Sequence, residues 1–204
     1  MQLELGGVRV RIGVPFAATV TLMLLLDESG VCALGLLCAA LHEAGHLLCL
    51  LALGEKPRSL TFSYYGVRLE RSPCAAWQGV RELAVYASGP AVNLLAALGF
   101  RLLSLRLPGA RLAADVSVLL GLFNLLPCRP LDGGNLLHCL ASQRLPPAAC
   151  DRLSRCVSAL TLLPMAACGV WLLAHDGSPT LALAAVYLAA GALPQKNGAD
   201  ERKL

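Results

Sequence analysis

The stretch LHEAGHLLCL, residues 41 to 50, sets two histidines and a glutamate inside an otherwise apolar run. His42 and His46 are four residues apart, so on an α-helix both imidazoles leave one face, one turn apart, where two ring nitrogens can chelate one zinc ion. Glu43, beside the first histidine, can reach a metal-bound water without binding the metal itself. This H-E-x-x-H order is the one in which the ion lowers the pKa of a water towards about 7 and the carboxylate takes its proton as the water attacks a carbonyl. A histidine pair that merely hydrogen-bonds neighbouring helices is the structural alternative. It accounts poorly for Glu43, because an ionised carboxylate at bilayer depth costs at least a few kcal/mol without a partner.

Two histidines and a water leave a tetrahedral site one protein ligand short. FNLLPCRPLDGGNLL, residues 123 to 137, supplies the candidate: Asp132, beside Gly133 and Gly134. Pro127 and Pro130 remove backbone donors and break a helix there, while the glycines permit a tight turn and a close approach of backbone to a neighbour. Irregular backbone at membrane depth is tolerated only where it is buried in protein or lines a wet cavity, which is where a metal-binding carboxylate belongs. Taken alone, PLDGG is an ordinary turn signal. Paired with the histidines, it makes Asp132 the expected third ligand, with one Zn2+ per chain as the expected cofactor.

The elements that must position these groups are membrane helices. Of 204 residues, 56% are hydrophobic and only 15% are charged, against about 25% charged in soluble domains, and the mean hydropathy is +0.64. Six apolar blocks follow one another: Ile12 to Leu26, Val31 to Leu53, Leu83 to Leu107, Leu112 to Leu140, Cys156 to Ala174 and Thr180 to Leu193. A cleaved signal peptide is not expected, since the first block has no small-residue cleavage site and runs through DESG into a second helix. Positive charge falls before block 1, between blocks 2 and 3, between 4 and 5, and after 6, whereas DESG and HDGSP carry no Lys or Arg. This places both termini in the cytoplasm. Arg101, Arg106 and Arg111 run against the pattern and are read as snorkelling at helix ends. The net charge of +4 belongs to this topology and not to a nucleic-acid partner.

The expected fold class is therefore an all-α polytopic membrane protein of about six transmembrane helices. Residues 1–194 are read as one membrane domain and residues 195–204 as a disordered cytoplasmic tail. Two segments alternate like β-hairpins: QLELGGVRVRI at the N-terminus and RSLTFSYYGVRLER between helices 2 and 3. They either tie loops down at the interface or offer an exposed strand edge to an extended peptide. Of the nine cysteines, Cys32, Cys38, Cys49, Cys139, Cys156 and Cys168 lie in apolar helix and read as reduced packing residues, with no C-x-x-C pair; Cys128 stands apart because it lies within the aspartate motif.

H-E-x-x-H in one apolar helix, with N-x-x-P-x-x-P-L-D-G-G from Asn124 to Gly134, resembles the site-2 protease family of intramembrane zinc metalloproteases, peptidase family M50. ASGPAVNLL, residues 87 to 95, is similar to the family's G-P-x-x-N segment. Small size, six expected spans and the absence of a PDZ insertion most resemble its sporulation branch, the stage IV sporulation protein FB type. The resemblance implies His42, His46 and Asp132 as zinc ligands and Glu43 as general base. It also implies Asn93 and Asn124 as polar residues near a substrate cleft. An amide there can hold an extended substrate backbone or the developing oxyanion, and it can equally cross-link helices.

The resemblance further implies a membrane-associated protein substrate, such as a sporulation pro-sigma factor. It brings with it an inhibitory membrane protein partner and a bacterial cell membrane or forespore membrane location. Two departures stand out. The sequence ends at Leu204, soon after its last apolar block, so nucleotide sensing through a C-terminal CBS domain is not expected; and Arg129 precedes Asp132, where it could neutralise the carboxylate, bind substrate or snorkel. Two other functions compete with proteolysis. A zinc transporter explains the ligands but not the base, and a non-catalytic membrane adaptor of the same fold explains neither.

Overall fold

The computed structural model describes residues 2–5, 8–55, 59–63, 66–70, 79–107 and 109–192. Helices dominate: α1 (Val14–Leu25), α2 (Val31–Ala52), α3 (Val80–Leu103), α4 (Ala110–Asn124), α5 (Asp132–Ser142), α6 (Pro147–Asp176) and α7 (Thr180–Ala192). Strands β1 (Gln2–Leu5), β2 (Val8–Ile12), β3 (Ser59–Ser63) and β4 (Gly66–Glu70) form one sheet in the order β1-β2-β3-β4. Two pairs are antiparallel, with Gln2 opposite Arg11 and Ser59 opposite Glu70. The central pair is parallel, with Val10 opposite Leu60, a pairing that needs a long crossover, here supplied by α1 and α2.

The fold is thus mostly rather than wholly helical. The two alternating segments, expected as separate features, meet through β2 and β3. Alternation within a segment reports a strand but carries no information about a partner some fifty positions away. Residues 6–7 and 64–65, within the two alternating segments, and the expected tail at 195–204 lie outside the described residues.

Among the described residues, three helices are long and apolar enough to cross a membrane: α2, α3 and α6; α1 and α7 contain shorter apolar helices. Their outer faces are bare hydrocarbon, with Leu95 67% and Leu160 73% exposed, as lipid-facing side chains are. The fourth apolar block is two helices, because residues 125–131, with Pro127 and Pro130, separate α4 from α5. The fifth begins earlier than its hydropathy suggests. Pro146–Pro147 starts α6, so Arg152 and Arg155 lie on the helix and not in a loop. At about 45 Å, a 30-residue helix exceeds a hydrocarbon core of roughly 30 Å and can carry those charges beyond it. Arg101, one of the residues against the charge pattern, lies 3.9 Å from Asp115 in an exposed pair.

The chain divides into two compact units, residues 1–125 and 126–204. In the first, α3 packs between α2 and α4 through small residues. A Cβ on Gly45 would come within 2.8 Å of the Ser88 carbonyl oxygen and 2.9 Å of Val92 Cγ2, so only glycine lets α2 approach α3 this closely. Ala113, Ala114, Ser117 and Gly121 form the buried face of α4, and Ser117 Oγ lies 3.2 Å from Cys38 Sγ of α2. Gly45→Ala is expected to lower stability by about 1–3 kcal/mol through this overpacking, read as a lower unfolding midpoint in detergent. Ahead of α2, Asp27 accepts the Ala33 N–H at 2.9 Å, which holds its carboxyl below the usual value.

In the second unit α5 packs on α6 through His138, whose Nδ1 lies 3.2 Å from Ser154 Oγ and 3.3 Å from Cys150 Sγ. Gly169 of α6 lies against α7, where a Cβ would come within 2.6 Å of the Ala182 nitrogen.

Candidate metal centre

His42 and His46 lie on the buried stripe of α2 that also holds Cys38, Gly45 and Leu50, and they are 5% and 7% exposed. Their Nε2 atoms are 3.1 Å apart and the rings meet edge to face. Two nitrogens bound at about 2.0–2.1 Å to one tetrahedral ion would be about 3.4 Å apart, so the pair is set close to the bite of a zinc ion. His46 is oriented by α3: its Nδ1 is 2.7 Å from the Val85 carbonyl oxygen. A carbonyl only accepts, so Nδ1 carries the proton and Nε2 keeps its lone pair for a metal. Ser88 Oγ donates to the same carbonyl at 2.7 Å and braces it.

Gly89 brings the backbone of α3 against both rings. A Cβ there would run into His46 Nε2 and come within 2.8 Å of His42 Nε2. Asn93, one turn further along α3 and fully buried, sets Nδ2 3.2 Å from His42 Nδ1. Val85, Ser88, Gly89 and Asn93 thus present one face of α3 to the histidines. The sequence marks Gly89 and Asn93 through G-P-x-x-N. It gives no sign of the Val85 carbonyl, because a backbone acceptor has no residue type, nor of Ser88.

Glu43 is half-buried on α2, next to His42. Asn124, the last residue of α4, donates through Nδ2 to the Leu120 carbonyl of its own helix at 3.0 Å. In the second unit Asp132 is the first residue of α5 and is half-buried. Extended backbone at Leu131 leads into it. The preceding turn is pinned from two sides. The Arg129 N–H donates to Ser158 Oγ at 3.1 Å, and Gly134 lies so close that a Cβ would meet the Cys128 carbonyl oxygen and come within 2.6 Å of the Arg129 nitrogen. Arg129 forms a half-exposed ion pair with Asp151 at 3.5 Å, a contact outside the three roles read from the sequence.

As a donor set, His42, His46 and Asp132 could hold a metal ion, and two imidazoles with one carboxylate are a catalytic zinc set that leaves a position for water. Apolar, membrane-type helices that carry a zinc-type donor set are what the residues define.

Comparison with known proteins narrows the class. Residues 109–165, which include Asp132, match the model of Peptidase family M50. Over 111 residues the chain is 38% identical to "Putative zinc metalloprotease sll0528" of Synechocystis sp., a match covering 50% of this chain and 28% of that protein. Over 112 residues it is 32% identical to "Putative zinc metalloprotease Rip3" of Mycobacterium tuberculosis, covering 48% and 27%. The chain matches little more than a quarter of the length of these curated relatives. The fold is that of the "Site-2 Protease from Methanocaldococcus jannaschii", with a TM-score of 0.68 over 94% of this chain and 93% of that one at 19% identity.

Proposed function

We propose that this chain is a site-2-type intramembrane zinc metalloprotease, hydrolysing a peptide bond within or beside a membrane-associated segment of another protein. The observation that carries the proposal is the histidine pair, with Nε2 atoms 3.1 Å apart and the tautomer of His46 set by a backbone carbonyl. Asp132 completes the ligands, and Glu43 is the general base. A bound zinc supplies Lewis acidity, making a water acidic enough to give up its proton near neutral pH and polarising the scissile carbonyl. The protein does the rest. Glu43 takes the proton of the attacking water and returns it to the leaving amine.

A substrate helix hides its carbonyls in its own hydrogen bonds, so it must unwind to be cut. Among the described residues β4 is the last strand in the sheet order, and an edge there can hold the unwound segment by strand addition. Asn93 and Asn124 belong to the same reading as polar groups beside the site.

The finer reading is one membrane domain over residues 1–194 with six crossings, α4 making the fourth, and with both termini cytoplasmic. Clustered Lys and Arg in alternate segments support the orientation. By the resemblance to the sporulation branch, the substrate is a membrane-tethered pro-sigma factor and the regulator an inhibitory membrane protein.

The test is zinc content of the detergent-purified chain by elemental analysis. About one zinc per chain is expected for the wild type, with loss or strong weakening in Asp132→Ala. Wild-type protein that is folded and zinc-free would overturn the proposal. Full zinc content in Asp132→Ala would remove the third ligand from it.

A further inference from the structure

We infer that Asn93 is a positioning residue for His42, accepting the Nδ1–H of that ring through its amide oxygen and so fixing the tautomer that leaves Nε2 free for metal. The inference rests on the metal reading of the histidine pair and extends it to a residue that touches no metal.

A histidine that binds metal through Nε2 carries its proton on Nδ1 and needs an acceptor there. For His46 the acceptor is the Val85 carbonyl oxygen, which can play no other part. For His42 the neighbour at Nδ1 is the Asn93 amide, 3.2 Å away with Nδ2 in the facing position. Left so, the amide donates to a bare Nδ1, the ring proton is forced onto Nε2, and that proton points at His46 Nε2 3.1 Å off. The same orientation leaves Asn93 Oδ1 buried with no hydrogen-bond partner. A half-turn of the amide, which exchanges two atoms of nearly equal size, brings Oδ1 to Nδ1–H. One rotation therefore gives the orphaned oxygen a donor and clears the lone pair of His42 Nε2.

Burial favours this role over a substrate contact. Asn93 is 0% exposed and held against α4, where a Cβ on Gly121 would lie 3.3 Å from its own Cβ. A side chain closed in this way can orient a neighbour without moving, whereas a substrate amide would first have to reach it.

The experiment is a chelator competition for zinc on the full chain in detergent, comparing wild type, Asn93→Asp and Asn93→Leu, with thermal unfolding of each zinc-free form as the folding control. Asn93→Leu keeps the volume and loses the acceptor, and its zinc affinity should fall about 10–100-fold. Asn93→Asp keeps an acceptor and loses the N–H groups, and it should retain wild-type affinity, a rescue that a purely structural role does not predict. Wild-type affinity in Asn93→Leu, or a folded Asn93→Asp as weak as Asn93→Leu, would overturn the inference while leaving the metal reading intact. If Asn93→Leu does not fold, the Asn93→Asp comparison alone decides it. A zinc-free wild type would instead remove the reading on which the inference stands.

Discussion

Glu43→Gln is expected to keep wild-type zinc content and to lower peptide-bond cleavage by about 10²–10⁴-fold, the range for losing a positioned general base. The substitution preserves length and shape at a half-buried position on α2, and it replaces one acceptor oxygen by an NH2 donor and removes the charge that lets the group take a proton. Because Glu43 is not one of the proposed metal ligands, metal binding and catalysis should separate in this variant. The measurement pairs elemental analysis with single-turnover cleavage of a reconstituted transmembrane-segment substrate in liposomes. Unchanged cleavage would sink the general-base assignment. Zinc flux that survives Glu43→Gln but requires Asp132 would identify a transporter, and client co-purification with no cleavage by the wild type would identify an adaptor.

The parts of this molecule legible in its sequence are those set by local spacing. His42 and His46 had to share a helical face once α2 existed, and the apolar run from Val31 made α2 certain. Block edges at Val31 and Thr180 coincide with helix starts for the same reason, since Gly30 and Pro179 interrupt the chain there. Pro127 and Pro130 likewise announced a break, and α5 begins at Asp132 itself.

What stayed hidden depends on partners that local sequence does not name. The parallel register of β2 on β3 joins segments separated by two helices. The Val85 carbonyl at His46 Nδ1 is backbone, and any residue type would have supplied it. The N-terminal stretch of α6 contains Asp151, Arg152 and Arg155, which hydropathy counts as loop although Pro147 begins a helix. Asn93 lies between these cases. Its motif marked it as a polar residue of the centre, but its amide faces a histidine ring, which only the packing of α3 on α2 could determine.

That packing makes Gly89 the most sensitive backbone position near the histidines, and Gly89→Ala is expected to cost more zinc affinity than the roughly 10–100-fold typical of losing an outer hydrogen-bond partner. The added methyl would run into His46 Nε2, lie 2.6 Å from His46 Cε1 and 2.8 Å from His42 Nε2. The two Nε2 atoms are those that would face the metal. His46 cannot swing clear without giving up the 2.7 Å bond of its Nδ1 to the Val85 carbonyl, which lies on the same helix as the intruding methyl. Relief must come from α2 and α3 moving apart, and Gly45, where a Cβ would come within 2.8 Å of the Ser88 carbonyl oxygen, shows how little slack that interface holds. Gly169→Ala is the matched control. It places a methyl 2.6 Å from the Ala182 nitrogen, so it strains the α6–α7 contact comparably without meeting either metal-facing nitrogen. Chelator competition and thermal unfolding on the two variants separate the causes: both should lose stability, and only Gly89→Ala should lose zinc. Equal zinc affinity in the two would mean that the rings relax around the methyl and that the close approach of α3 serves packing alone.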